Sequence, residues 1–498
     1  MPRIVVVGAG ITGLVAAREL ARVPDFDVLC LEASSRVGGQ VHTIEVDGAA
    51  VDVGAEAIHL GAPQVAALVR DLGLDSEVVG AAPGGSVMAT RKGLRPLPAG
   101  VGPTGPTRVW PVLKSGILTI PGLLRAGLEP VGARRRRFSE DTSVGEFTRS
   151  RFGREVTDVF VDPLLGNLHG GDVFQLSLQA TAPQLQGDAH DGTSMLLKNL
   201  RPKNLRPKNL RRKPRSKAGS GAPKPSSMPM FATWPQGLST FTEALAAQSG
   251  AQLRLNSPVR ALHRDGASWQ VELAGGEQIP ADVVLLTTPG PVSAALLAGH
   301  CPQAAQALQA VPMVSVATVV LGYDPSAAAA NPTLREHNGI LLGSTRARTF
   351  KAATNLSRKW PHLAARRHLL RASVGRVDND LAESLDDQAM TSRVAQEIGE
   401  LTGLSAQPQL AQVHRWPAAM PQLVVGHKER IRRAREALDQ VGGIELAGCA
   451  VDGLGIGSTV RSGEQAARRI ISALNRQDPD HMSYKSNTSN PSTSRSSE

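Results

Sequence analysis

Met1 to Ala57 constrain the fold of this chain more than any other stretch. Ile4, Val5, Val6 and Val7 form a short apolar run of the kind that buries as a parallel strand, and GAGITG follows at once, from Gly8 to Gly13. Thr12 to Val23 then reads as a helix with Leu14, Ala17, Leu20 and Ala21 on one face, and Val28 to Leu31 as a second apolar strand ending at Glu32. The unit is βαβ. Gly8 lets the chain turn sharply, Gly10 lets the backbone approach a pyrophosphate, and Gly13 lets helix and strand pack closely. The helix N-terminus, with Ala9, Ile11 and Thr12 around the turn, faces the phosphate charge, and Glu32, about twenty residues on, accepts hydrogen bonds from a ribose hydroxyl. A glycine turn alone is weak evidence of dinucleotide binding. Here strand, turn, helix, strand and acid fall in order, which is the context the motif demands.

Glu32 leads into ASSRVGGQVHT, which holds Ala33, Arg36, Gly38 and Gly39, and then to DVGAEA, which ends in Gly54, Ala55, Glu56 and Ala57. This extension resembles the second glycine motif of the FAD-dependent amine oxidase and protoporphyrinogen oxidase superfamily. The resemblance implies FAD as the cofactor, with Arg36 and the paired glycines along its pyrophosphate.

A chain of 498 residues is too long for one ordinary core and is expected to form two or three domains. No apolar run reaches the ~18 residues of a membrane helix, and the chain enters its first strand too early for a signal peptide, so a cytoplasmic protein is expected. Cys30, Cys301 and Cys449 lack metal-site or disulfide-framework spacing and are expected to be reduced core residues. The net charge of +11 has a local origin: Lys198 to Lys224 hold eleven basic residues and no acidic ones, and the remaining 44 basic residues balance 44 acidic ones. LRPKN occurs twice there, from Leu200 to Asn209, and a segment rich in proline, lysine and serine builds no core, so a disordered insertion is expected. Without interleaved aromatics it offers no specific nucleic-acid recognition, but it and Arg134 to Arg137 leave attraction to anionic surfaces open.

Ala62 to Leu72 reads as a helix closing at Gly73, and residues 107–160 as short helices broken at Pro111, Pro121 and Pro130. Trp110, Ile117, Leu118, Ile120, Leu123 and Leu124 are compatible with an apolar face for a substrate or a bilayer, and equally with an ordinary core. Asp162 to Leu185, DPLLGNLHGGDVFQLSLQATAPQL, is similar to a segment of protoporphyrinogen and coproporphyrinogen oxidases, with Asn167 and His169 where that family has a glycine and an aromatic residue. Thr233 to Gln248 reads as a glycine turn and helix, and Leu253 to Ala261, Ser268 to Leu273 and Asp282 to Thr287 as strands. The resemblance sets the Val259 backbone against adenine. Val311 to Tyr323 opens a second stretch of substrate domain, continued by SRKWPHL, LLRASVGR and RWPAAMPQLVVGHKERI, all similar in order and spacing to the bacterial coproporphyrinogen oxidases. Trp416 is expected near the flavin ring, since a planar apolar wall suits an isoalloxazine. Gly442 to Leu474 reads as a strand, a glycine loop with Gly455, Ile456 and Gly457, and a helix beginning soon after Ser458. Its positive end is expected to face the flavin N1–C2=O edge.

The expected fold class is α/β, a Rossmann-like FAD-binding domain with a discontinuous α+β substrate domain and a helical insertion. The FAD-binding parts are expected at 1–75, 231–290 and 415–474, the substrate-binding parts at 76–197 (helical) and 291–414, the basic insertion at 198–230 and a disordered tail at 475–498. The resemblance implies six-electron oxidation of coproporphyrinogen III by molecular oxygen in haem biosynthesis, hydride leaving a bridging methylene for flavin N5 and hydrogen peroxide forming. Protoporphyrinogen IX is the close alternative substrate. Two rivals stand beside it: an amine oxidase or carotenoid desaturase on the same FAD domain, and a nucleic-acid or membrane-surface adaptor acting through residues 198–224. No metal is required, no catalytic residue is singled out, and His59 is the one candidate for a substrate propionate. Peripheral membrane contact and contact with other haem-pathway enzymes are left open as partners.

Overall fold

The computed structural model describes residues 1–200, 228–344, 348–363 and 366–477. Most of the expected basic insertion, from residue 201, and the tail from residue 478 lie outside the described residues. Lys198 lies inside them, in helix Met195–Leu200, and its Nζ is 2.9 Å from Asp188 Oδ1.

Five parallel strands form the first layer: β1 (Arg3–Val7), β2 (Asp27–Leu31), β3 (Gln252–Arg254), β4 (Val283–Leu286) and β5 (Ile444–Leu446), in the order β3-β2-β1-β4-β5. Strand period dictates which side chain meets which layer. Ile4 and Val6 pack against Leu14, Ala17 and Val460, whereas Val5 and Val7 pack with Leu297, Leu308 and Ile431 on the opposite side. The first side is covered by helices α1 (Ile11–Ala21) and α2 (Ile456–Gln477), drawn from near the two ends of the described chain.

A seven-stranded sheet forms the second body. Its order is Leu410–Pro421, Met313–Tyr323, His368–Val374, Phe350–Asn355, Gly339–Leu341, Ser86–Thr90 and Gly93–Pro96, antiparallel except between Gly339–Leu341 and Ser86–Thr90. Ala317, Val319 and Leu321 turn to one face, against Met390, Val394 and Ile398 of helix Asp387–Thr402. On the other face Thr318 Oγ1 donates to Val53 O at 2.7 Å, so that face meets the extension of the nucleotide-type sheet. Leu410–Pro421 is one unbroken strand of this sheet and passes through residue 415, where the sequence reading set a domain boundary.

Other expectations need correction. The strand expected over Leu253 to Ala261 is two: Asn256 adopts φ 51°, which ends β3, and Val259–Asp265 joins a separate three-stranded antiparallel sheet. SRKWPHL is a short helix, Leu356–Lys359, followed by a 3-10 turn. Pro111 does not break a helix but sits in the first turn of Val109–Ser115, where a missing N–H costs nothing. The apolar residues of that region do not share one face. Leu118 is buried with Phe147 and Phe152, while Trp110, Ile120 and Leu124 are exposed.

Candidate functional site

The turn after β1 is closed by Gly8, at φ +104°, whose N donates to Leu31 O at 2.7 Å. A Cβ on Gly13 would lie 1.9 Å from Gly8 O, so only glycine lets α1 start this close to the strand. Gly10 precedes α1 in extended backbone and no side chain caps the helix, leaving its first N–H groups without a side-chain acceptor. The ground above Gly10 is open: a Cβ there would find nothing closer than Gly39 Cα, at 4.0 Å. Gly38 N donates to Ala9 O at 2.9 Å and Gly10 bridges Gly38, so the two glycine motifs lie backbone against backbone.

Glu32 is fixed at the end of β2. Ala9 N donates to its Oε2 at 2.8 Å, and Ser34, just past Ala33, donates to Oε1 through N at 3.0 Å and Oγ at 2.8 Å. Two oxygens with spare lone pairs remain able to accept from a ribose. Asn256 N and Ser257 N donate to Ser34 O and Glu32 O, which brings the start of the Val259 strand to the same end of β2, with Val259 half-buried. Arg36 donates to the carbonyls of Val37, Gly39 and Val41 and lies 5.9 Å from the Trp416 ring centroid.

Helix α2 begins at Ile456, earlier than Ser458, so Gly457 and Ser458 belong to its first turn. Gly455 adopts φ +92°, and no atom lies within 4 Å of where its Cβ would be. Thr12 Oγ1 donates to Thr459 O at 3.2 Å, and a Cβ on Gly463 would stand 2.5 Å from Thr12 O, so the N-terminal turns of α1 and α2 touch. Two positive helix ends side by side, an open glycine backbone and an anchored carboxylate fit a flavin adenine dinucleotide.

The Gly54–Ala57 motif joins this cradle to the seven-stranded sheet. A Cβ on Gly54 would lie 2.0 Å from Gln40 O, and Ala55 N donates to that same carbonyl at 3.0 Å. Trp416 Nε1 donates to Val53 O at 3.0 Å, and its ring edge lies 3.1 Å from the Gly54 Cβ position, so the tryptophan braces the motif. His414 packs on Trp416 at 4.6 Å, and burial, with Arg36 and His414 nearby, pushes the neighbouring His42 down to about 4. Ala57 packs on the cluster that holds Trp360 and Leu369.

Glu56 is the hub. Its Oε1 accepts from Lys359 Nζ at 2.6 Å and Trp360 Nε1 at 3.1 Å, and its Oε2 from Arg371 at 3.0 Å, while Arg371 also donates to Gly54 O at 2.5 Å. Burial works to raise its pKa, but Lys359 and Arg371 outweigh it and hold the carboxyl at about 2. Sequence reasoning missed both cations. The only trace of Arg371 was a charge inside the apolar run LLRASV, and Lys359 had none.

Asn167 and His169, the two departures in the 162–185 segment, are both buried. Asn167 Nδ2 donates to Leu342 O at 2.7 Å and Lys351 O at 2.9 Å, and its Oδ1 accepts from Arg376 at 2.6 Å. Arg376 also pairs with Asp162 at 2.9 Å, which ties the π-helical turn Thr157–Gly166 to the sheet. Asn167→Ala is expected to cost about 1–3 kcal/mol by orphaning these groups, measured as a lower urea midpoint with flavin absorbance retained. His59, the propionate candidate, is exposed and rests on Phe231 at 5.0 Å between ring centroids.

The family described as flavin containing amine oxidoreductase matches residues 11–471. The coproporphyrinogen III oxidase of Propionibacterium freudenreichii subsp. freudenreichii is 33% identical over 94% of this chain and 91% of its own length, and that of Bacillus subtilis (strain 168) 29% identical over 95% and 98%. A crystal structure of a protein assigned as a protoporphyrinogen oxidase from Exiguobacterium sp. 255-15 superposes with a TM-score of 0.80 at 27% identity, covering 95% of this chain and 99% of that one. Cradle and sequence agree along the length of the chain, which belongs to the flavin containing amine oxidoreductase family and is an FAD-dependent oxidoreductase.

Proposed function

We propose that the protein oxidises coproporphyrinogen III to coproporphyrin III in haem biosynthesis. Three molecules of oxygen accept six electrons and six protons and leave as three hydrogen peroxide. The observation that carries this reading is end-to-end similarity to relatives that bear the name coproporphyrinogen III oxidase, rather than similarity confined to the cofactor motifs. FAD, when bound, supplies the two-electron acceptor for each step.

The chain's own residues hold and shape the site. Gly8 to Gly13, Gly38 and Gly39 give the backbone cradle for the pyrophosphate, Glu32 takes the ribose, and the Val259 backbone lies at the adenine. Gly455, Ile456 and Gly457 present the positive end of α2, which favours a negative flavin ring edge. Trp416, held by Val53, gives the ring a rigid apolar wall, and the Glu56 pairs keep Gly54 and Ala55 in place behind it. Peripheral membrane contact belongs to the same proposal, supported by the exposed Trp110, Ile120 and Leu124 and by the exposed basic run Arg134 to Arg137. Among the described residues no helix is long and apolar enough to cross a membrane.

The test compares the two porphyrinogens on FAD-loaded protein by the appearance of porphyrin fluorescence. Coproporphyrinogen III is expected to react faster, with three hydrogen peroxide per porphyrin. A faster reaction with protoporphyrinogen IX would move the assignment to that substrate, the reading favoured by the Exiguobacterium neighbour.

A further inference from the structure

The cations on and beside the seven-stranded sheet are not all balanced. Arg371 and Lys359 share Glu56, and Arg376 is held by Asp162. Lys351 is different. It sits at the bulge of strand Phe350–Asn355, is only 6% exposed, and makes no side-chain hydrogen bond or ion pair with any described residue. Its Nζ lies 3.1 Å from where a Cβ on Gly170 would be, so the glycine leaves the amine room.

Lys351, Arg348 and Arg376 line one cleft, with Gly343, Thr349 and Gly375, that has room for about one water. Arg376 Nε has no hydrogen-bond partner among the described residues, and Asp378 lies 3.9 Å from it. His169 Nδ1, on the turn above, is buried without a partner among the described residues too. Unmade hydrogen bonds on buried donors are costly, and an unpaired buried ammonium more so. A carboxylate is the group that satisfies two converging cationic donors at once.

We propose that Lys351, with Arg376 Nε beside it, is the receptor for one carboxylate of the substrate. The inference rests on the porphyrinogen reading, in which the substrate carries four propionates. The cleft leaves a water-sized space beside the two donors, which suits the tip of a side arm rather than a macrocycle.

Burial first, then the repulsion of Arg376 and Arg371, pulls the Lys351 pKa down to about 7. His169, held at about 4 by burial and by Lys351, stays neutral across the same range, and Asp162 faces Arg376. A bound carboxylate restores the ammonium. Affinity for a propionate therefore falls as pH rises above about 7, because the amine must then be protonated before it can pair.

The experiment measures binding of coproporphyrin III to FAD-loaded protein by fluorescence quenching, for the wild type, Lys351→Met and Lys351→Arg. The loss of one charge-assisted contact is expected to weaken Lys351→Met at least about tenfold, with Lys351→Arg within about threefold of the wild type and flavin absorbance unchanged in all three. Equal binding by Lys351→Met overturns the proposal, and so does equal weakening of both variants, since charge would then not be what matters. If Lys351→Met does not fold, the pH series decides: wild-type affinity should fall between about pH 7 and 9 while that of Lys351→Arg stays level, and a level wild type overturns the proposal. Wild-type protein that loads FAD yet neither binds coproporphyrin nor oxidises its porphyrinogen defeats the substrate reading itself. Wild-type protein that does both, beside an unaffected Lys351→Met, defeats the lysine's role alone.

Discussion

Gly13→Ala protein is expected to be colourless and markedly destabilised. The added methyl would stand 1.9 Å from Gly8 O and 2.8 Å from Thr287 Oγ1, and the first of these is backbone that cannot rotate away. Either the turn opens or α1 shifts off the strand, at a cost of about 3 kcal/mol or more. The uncapped N–H groups of α1 then leave their aim at the phosphates. Gly10→Ala separates the two effects. Its methyl meets only Gly39 Cα, at an ordinary contact distance of 4.0 Å, so the chain should fold with near wild-type stability, but the methyl would occupy ground that the pyrophosphate needs. Flavin absorbance after purification and a urea midpoint for each variant check both statements. Gly13→Ala protein that is yellow and as stable as the wild type would show that the turn is not the cradle.

Removing the Glu56 carboxylate should cost about 3 kcal/mol, because Glu56→Ala leaves the half-buried Lys359 and Arg371 side by side without a counter-ion. Arg371 would no longer be held under Gly54 O, so flavin affinity should fall along with stability. The same pairing gives a pH signature. The folded carboxyl is held at about 2, below its ordinary value of 4.5, so its contribution is fully present above pH 4.5 and is lost as pH falls through 2. A shift of this size is worth about 3 kcal/mol. Glu56→Gln, which cannot ionise, should lose the acid-side part of the stability curve between about pH 4.5 and 2, read from urea midpoints at each pH. An unchanged acid limb would mean that the pairs hold nothing together.

The exposed residues of the helical insertion show where sequence pattern stops informing. Trp110, Ile120 and Leu124 face solvent and Leu118 faces the core, although all four are apolar and close in sequence. Short helices that stop at Gly116, φ 62°, and restart with Pro121 and Pro130 in their first turns do not keep one face over the whole stretch. Periodicity predicts a common face only while the helix is unbroken.

The nucleotide cradle was legible in the chain because its information is local. The alternation of Ile4 and Val6 against Val5 and Val7, and the glycines at 8, 10 and 13, specify strand, turn and helix within a few residues of one another. The charge network was not legible, because its members come from distant segments. Glu56 meets Lys359 and Arg371, Asn167 meets Arg376, and Lys351 is left without an acid. Whether a lysine in a strand is solvated, paired or stranded depends on which segments the fold lays over it, and no spacing along the chain carries that. The sequence alone determined the cofactor class and the strand, turn and helix of the proposed cradle. Tertiary packing decided which buried charges are spent on holding the fold and which one is left over.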